Sequence, residues 1–332
     1  MRRVLAISVT RIGDTLLTTP ALRALGQQPG VQLDVLAHPK RMEVLEHLPF
    51  IHHLGAITPK RARWCGWISA NRSAKPYDTA VVWGQDAPLV RYALRVARQV
   101  VAFRQPDPSL NDRLLSAVAL PPRGEHAVRE RLRLLPPLGV AEAGQGLSYV
   151  VTPEESAWAA GLLQREQPGA RLRVGLQLKS FHTKSHRDWP LGYFEAFVER
   201  LLARYPDAGV VVLGGPESRA EAGALAARFP GKVLPLSGRL SLRQAGAVMS
   251  QLGLYLGVDT GPTHLAGAVG IPMVALYHCA YPSSVYGPLE RRQCVLIDHP
   301  ALARGECGID VSMAEISVDQ VWDAATSLLE GQ

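Results

Sequence analysis

At 332 residues the chain is longer than one ordinary hydrophobic core organises, and it fits two domains of about 150 residues each. A composition of 47% hydrophobic and 20% charged residues excludes a disordered or fibrous chain, and 6% aromatic residues offer no base-stacking surface for single-stranded nucleic acid. The formal charge of +7 suits phosphorylated substrates or an anionic leaflet, with local basic clusters at Lys60, Arg61, Arg63 and at Arg129, Arg131, Arg133.

The apolar run at 4–9 predicts a strand buried on both faces. It is too short for a signal peptide, because Arg11 and Asp14 follow directly. No stretch approaches the ~18 apolar residues that span a bilayer, so the expectation is a cytoplasmic protein, peripheral at most to the inner face of the cytoplasmic membrane. A helix is predicted over 14–27 and a strand over 31–37, with later strands at 79–83 and 100–103. From 121 to 168 the pattern weakens and prolines, glycines and charges accumulate. A domain boundary is placed within 152–169, giving an N-terminal domain 1–155 and a C-terminal domain 156–332.

The second half restarts with strands at 173–178, 210–213, 233–236, 254–258 and 273–277. Helices alternate with them at 191–204, 217–228, 242–250 and 263–269, and an amphipathic helix at 317–329 closes the chain. Such alternation means α/β, with two doubly wound parallel sheets. Ligands of these sheets bind at the carboxyl ends of the strands, in the cleft that two such halves imply.

The most informative stretch is Gly257-Val-Asp-Thr-Gly-Pro-Thr-His-Leu-Ala-Gly-Ala-Val-Gly-Ile-Pro272. A buried strand ends at Val258, Asp259-Thr260-Gly261 form the turn, and Pro262 suits the first helical turn. The N–H groups of Gly261, Thr263 and His264 would then face phosphate oxygens, with hydroxyls from Thr260 and Thr263. The same residues also read as a well-capped helix with Asp259 or Thr260 as the cap. A second stretch, Arg11-Ile-Gly-Asp14-Thr-Leu-Leu-Thr-Thr-Pro20, places an aspartate after the first strand. That carboxylate could take a proton from a hydroxyl, or merely favour the helix dipole.

Third, Lys179-Ser-Phe-His-Thr-Lys-Ser-His-Arg-Asp-Trp-Pro190 is more basic than a connector requires. Lys184 and Arg187 could neutralise a pyrophosphate there, unless the loop is simply solvated. Fourth, Glu217 in Leu213-Gly-Gly-Pro-Glu217 could hold a ribose or sugar hydroxyl. The four cysteines, Cys65, Cys279, Cys294 and Cys307, show no CxxC spacing, which argues against a disulfide framework and a structural zinc site. A P-loop, a GxGxxG after the first strand, an Asp-x-Asp pair and a GxSxG elbow are all missing. These absences speak against an ATPase, a dehydrogenase, a metal–diphosphate site and a serine hydrolase.

Together, Arg-Ile-Gly-Asp-Thr-Leu-Leu-Thr-Thr-Pro-Ala-Leu, Arg-Asp-Trp-Pro and Gly-Val-Asp-Thr-Gly-Pro-Thr-His-Leu-Ala-Gly-Ala resemble the ADP-heptose:lipopolysaccharide heptosyltransferases, glycosyltransferase family 9, over nearly the whole chain. The resemblance implies a GT-B fold with the acceptor on the N-terminal half and ADP-heptose on the C-terminal half. It also implies that the last helix packs back on the first domain. By resemblance Asp14 matches the catalytic base, and Thr183, Glu217, Asp259, Thr260, Gly261 and His264 match donor-contacting positions. Arg187 stands where the family often has lysine, so either Arg187 or Lys184 serves the diphosphate.

Arg11, Arg61 and Arg63 are the basic candidates for an acceptor from the lipopolysaccharide core or a lipid-linked glycan. The implied reaction is a direct, inverting displacement with no metal or other cofactor. Its alternatives are another nucleotide-sugar donor or acceptor on the same fold, a GT-B-like UDP-sugar epimerase, and a catalytically degenerate sugar-binding protein. A nucleic-acid partner is not expected.

Overall fold

The structure, a computed structural model, describes residues 1–68 and 75–331, with the backbone alone at 65–68. The chain divides into two compact units, Met1–Val150 and Val151–Gln332, a little ahead of the boundary placed from sequence.

In the first unit, β1 (Arg2–Ser8), α1 (Ile12–Leu17), α2 (Thr19–Gly26), β2 (Val31–Ala37), β3 (His53–Ala56) and α3 (Pro59–Ile68) come first. They are followed by β4 (Tyr77–Trp83), α4 (Ala87–Val96), β5 (Ala97–Phe103), α5 (Pro108–Asn111), β6 (Ser116–Val118) and α6 (Ala127–Leu132). All pairings in its sheet are parallel, in the order β3-β2-β1-β4-β5-β6. Leu5 and Ile7 of β1 and Ala80 and Val82 of β4 are fully buried against Leu89, Val90 and Ala93 of α4. Central strands covered on both faces read as continuous apolar runs, which is why they were legible.

The helix expected over 14–27 is instead two helices that meet at Thr18. Pro20 lacks the N–H that a continuous helix would bond backward, and its ring crowds the preceding turn, so a fresh helix starts at Thr19. The edge strands β3 and β6 were not anticipated. They are short and only partly buried, so they carry little apolar signal.

The second unit runs α7 (Pro153–Glu166), β7 (Leu172–Gln177), α8 (Leu191–Arg204), β8 (Ala208–Leu213), α9 (Arg219–Arg228), β9 (Val233–Pro235) and α10 (Leu242–Met249). It continues with β10 (Leu254–Val258), α11 (Gly261–Val269), β11 (Met273–Tyr277), α12 (Ser283–Tyr286), β12 (Cys294–Asp298), α13 (Ala301–Arg304) and α14 (Val318–Glu330). Its parallel sheet is ordered β12-β11-β10-β7-β8-β9. Counted from each unit's first strand, both sheets therefore follow one doubly wound order. The winding reverses between β1 and β4 in one unit and between β7 and β10 in the other.

One expectation for this unit is corrected. The stretch from 121 to 168, where the sequence pattern weakens, contains α7, opened by a reciprocal capping box between Thr152 and Glu155. Only Ala159 and Leu163 of α7 are buried, so the helix shows little apolar periodicity. The last helix, α14, lies against α8, β10, β11 and β12 of its own unit. Val321 and Ala325 face this core, and Trp322 meets Phe197 edge-on at 5.8 Å. With its apolar face filled there, α14 is an integral part of the second unit. Trp189 anchors the segment before it, its indole N–H donating to the Ile316 carbonyl at 2.8 Å.

No helix among the described residues is long and apolar enough to cross a membrane.

Candidate active site

In the first unit, the carboxyl end of β1 delivers the chain through Arg11 into α1. Arg11, exposed, occupies the N-cap position with its backbone, and Asp14 falls in the first turn. Asp14 is therefore not the cap. Its side chain, 36% exposed, is reached by the almost buried Arg131 of α6, whose Nη2 donates to Oδ1 at 2.8 Å. Arg131 is itself fixed by a second bond, from Nη1 to the Ala127 carbonyl at 2.6 Å. The sequence reading counted Arg131 only as part of a basic run, since nothing local connects it to Asp14. Arg61 and Arg63 lie exposed on α3, on a different strand-to-helix connection from Asp14.

In the second unit, the loops after β7 and β10 converge where the sheet winding reverses. The loop after β7 forms a 3-10 turn at His182–Arg187, with Thr183 exposed and Lys184 and Arg187 half-buried. The loop after β10 carries Asp259, which is buried, and enters α11 through Thr260. Arg187 Nη1 donates to Asp259 Oδ2 at 2.6 Å, and His264 Nε2 lies 3.6 Å from Asp259 Oδ1. The Lys179–Pro190 loop and the Asp-Thr-Gly-Pro-Thr-His turn thus form one cluster, although 72 residues separate the Arg187–Asp259 pair in sequence. Glu217 is exposed in the turn after β8, its carboxylate folded over Gly215.

Three details of the helix start differ from expectation. The N–H groups of Thr263 and His264 both return to the Thr260 carbonyl, so of the three proposed phosphate donors only that of Gly261 stays a candidate. Thr263 is fully buried, and its hydroxyl donates to the Val258 carbonyl at 2.5 Å beside the Tyr255 hydroxyl at 3.0 Å. It staples α11 to β10 and does not face a ligand. Thr260 occupies the N-cap position, but its hydroxyl bonds the Val258 carbonyl at 3.2 Å without capping. At the other end Gly270 closes α11 in the left-handed conformation that glycine adopts without a Cβ penalty.

Around this cluster the structure adds residues that the sequence reading missed. Tyr281, beyond the end of β11, lies under the Arg187 guanidinium at 3.5 Å and accepts from Lys184 Nζ at 3.0 Å. These cations, Lys184 foremost, pull its phenol below the usual tyrosine value. His186 stacks on Tyr281 at 5.9 Å and meets His278 edge-on at 5.1 Å. Both histidines are pushed down, mainly by burial, and so stay neutral more readily than a solvated imidazole. The available signal was that Tyr277-His-Cys-Ala-Tyr281 follows an apolar strand with polar and aromatic residues. A second correction is nearby: Cys279 and Cys307 form a disulfide, which spacing alone could not disclose. Among the described residues no group of three or more His, Cys, Asp or Glu side chains could hold a metal ion.

The sequence model of Glycosyltransferase family 9 (heptosyltransferase) matches residues 102–305, more than half of the chain. The chain belongs to glycosyltransferase family 9. Among its relatives, lipopolysaccharide heptosyltransferase 1 of Pseudomonas aeruginosa is 30% identical, the match covering 86% of this chain and 81% of that protein. Lipopolysaccharide heptosyltransferase 3 of Escherichia coli is 26% identical, covering 80% of each. The solved structures that share the fold include a family 9 glycosyltransferase from Veillonella parvula, with a TM-score of 0.85 at 20% identity, covering 100% of this chain and 98% of that one.

ADP-heptose lps heptosyltransferase II of E. coli superposes with a TM-score of 0.79 at 17% identity, covering 100% and 99%. These likenesses make the fold GT-B, built from two Rossmann-like units. In this family 9 glycosyltransferase the clusters just described lie at the winding reversals of its two sheets, where doubly wound folds bind ligands.

Proposed function

We propose that this glycosyltransferase transfers a heptose from ADP-L-glycero-D-manno-heptose to an inner-core lipopolysaccharide acceptor or a related glycan, with inversion and without a metal. The observation that carries the donor half is the cationic cluster at the winding reversal of the second unit. Arg187 and Lys184 flank the start of α11 there, and Gly261 allows close approach of phosphate oxygens. These groups bind the diphosphate and stabilise the charge that develops on it as the glycosidic bond breaks. His264 and Thr260 line the helix start, while Thr183 and Glu217 offer polar contacts to the sugar or ribose. Asp259 orients Arg187 and His264 and does not touch phosphate, because a buried carboxylate beside a diphosphate would repel it. A solved heptosyltransferase of E. coli that shares the fold holds ADP, in keeping with this reading.

The acceptor half rests on Asp14. Arg131 occupies Oδ1, which leaves Oδ2 as the atom that takes the acceptor proton. The deprotonated hydroxyl attacks the anomeric carbon from the face opposite ADP, the new glycosidic bond forms, and ADP leaves with the bonding electron pair. Arg11, Arg61 and Arg63 supply positive charge for a phosphorylated acceptor presented at the inner membrane surface.

A thermal-shift comparison of ADP, UDP, GDP and their sugar conjugates, with and without EDTA, tests the donor assignment. Stabilisation by ADP and ADP-heptose that survives EDTA is the expected outcome. Preference for UDP or GDP overturns the donor, and loss of the ADP response with EDTA overturns metal independence.

A further inference from the structure

The two cations assigned to the diphosphate, Arg187 and Lys184, share one turn and repel each other, yet both are drawn to a single aromatic side chain. The Arg187 guanidinium lies over the Tyr281 ring, 3.5 Å from its centroid, and Lys184 donates to the Tyr281 hydroxyl at 3.0 Å. The ring face attracts a guanidinium through its quadrupole, while the hydroxyl lone pair accepts from the ammonium. His186 stacks at 5.9 Å and adds a neutral wall. Tyr281 is half-buried on a loop, and its side chain meets Lys184, Arg187, His186 and Tyr286. A tyrosine needed only for packing would not spend both its ring and its hydroxyl on cations.

We propose that Tyr281 is a positioning residue, which holds Arg187 and Lys184 apart and preset as a two-pronged clamp for the diphosphate of the nucleotide donor. The inference rests on the reading that this strand end binds a nucleoside diphosphate. Arg187 is fixed by two groups, Asp259 at 2.6 Å on a terminal nitrogen and the Tyr281 ring against its guanidinium carbon. Lys184 has a flexible four-carbon stem, and the Tyr281 hydroxyl supplies its anchor. Holding both before the ligand arrives removes the entropy of ordering them on binding, so the gain falls on the diphosphate and not on the nucleoside.

Calorimetric titration of the full chain with ADP and with adenosine, using wild type, Tyr281→Phe and Tyr281→Leu, tests this. Tyr281→Leu is expected to weaken ADP by roughly tenfold and leave adenosine unchanged. Tyr281→Phe, which keeps the ring under Arg187, is expected to recover most of the loss. Wild-type ADP affinity in Tyr281→Leu, or equal losses for ADP and adenosine, would overturn the proposal. The unfolding midpoint of each ligand-free variant controls for folding, and Tyr281→Phe keeps the test open should the leucine variant be unstable. If wild type binds UDP or GDP in place of ADP, the donor reading fails, and the same comparison with that diphosphate decides the role of Tyr281. Binding of no nucleoside diphosphate overturns both.

Discussion

The Arg131 guanidinium approaches Asp14 from a nearly buried position and is braced by the Ala127 carbonyl, so the carboxylate is presented in one orientation. Both residues are separately replaceable. Asp14→Asn keeps the shape of the site but removes the proton acceptor, and turnover is expected to fall by about 1000-fold with ADP affinity unchanged. Steady-state kinetics beside a binding titration checks this, and normal turnover would remove Asp14 from the mechanism. Arg131→Ala frees the carboxylate to rotate; a loss of about 100-fold in kcat is expected from misplacement alone. Arg131→Lys should recover part of that loss, because a cation still reaches Oδ1. Equal kcat in Arg131→Ala and wild type would show that the ion pair does not orient the base.

Helix α7 illustrates how an element is specified by its start and not by its apolar face. Thr152 accepts from the Glu155 N–H, the Glu155 side chain accepts from the Thr152 N–H, and Pro153 occupies the first turn. Glu155 also pairs with Arg243 of α10 at 2.8 Å, which ties the cap to the neighbouring helix. Thr152→Ala should cost about 1 kcal/mol, the usual worth of a cap, read as a lowered denaturant midpoint for the second unit. Glu155→Ala should cost more, since it also removes the ion pair with the largely buried Arg243 guanidinium. A smaller loss for Glu155→Ala than for Thr152→Ala would mean that the pair with Arg243 adds nothing.

Across the second unit, two features couple stability to conditions. The Cys279–Cys307 bridge closes a loop between residues 28 apart that contains α12, β12 and α13. Reduction is expected to destabilise this unit by about 2–4 kcal/mol through the entropy regained by the unfolded chain. Thermal unfolding with and without a phosphine reductant measures it, and an unchanged midpoint would show that the bridge carries no stability. In a reducing compartment the pair would stand as thiols, so the oxidised and reduced forms both merit assay.

Two histidines add a pH dependence. His186 and His278 lie below their ordinary value of 6.5, chiefly through burial, so the unfolded chain takes up protons before the folded one does. Their contribution is present above that value and is lost as pH falls through the folded pKa values. Glu221, held below its ordinary value of 4.5 by Lys179, adds a further loss at lower pH. The unfolding midpoint of the second unit should therefore decline between about pH 6.5 and pH 5, with a shallower decline in His278→Gln. A midpoint flat over that range would contradict the assignment.

Much of the architecture could be read directly from the chain. The runs at 4–9, 79–83, 254–258 and 273–277 are apolar because their strands are covered on both faces, and burial of that kind leaves a mark on every residue. The Asp-Thr-Gly-Pro-Thr-His turn was legible because proline and glycine act on the backbone locally, whatever surrounds them. Edge strands β3 and β6 and helix α7 left fainter marks, since each buries little. The pairings of Arg131 with Asp14, Arg187 with Asp259, Tyr281 with both cations, and Cys279 with Cys307 were decided only by the tertiary structure. Each joins groups on separate segments, and no local propensity encodes which segments a doubly wound sheet brings together. The inward turn of the Thr263 hydroxyl belongs with these, because its partner Tyr255 is buried in the neighbouring strand and the donor groups of a helix start depend on what packs beneath it.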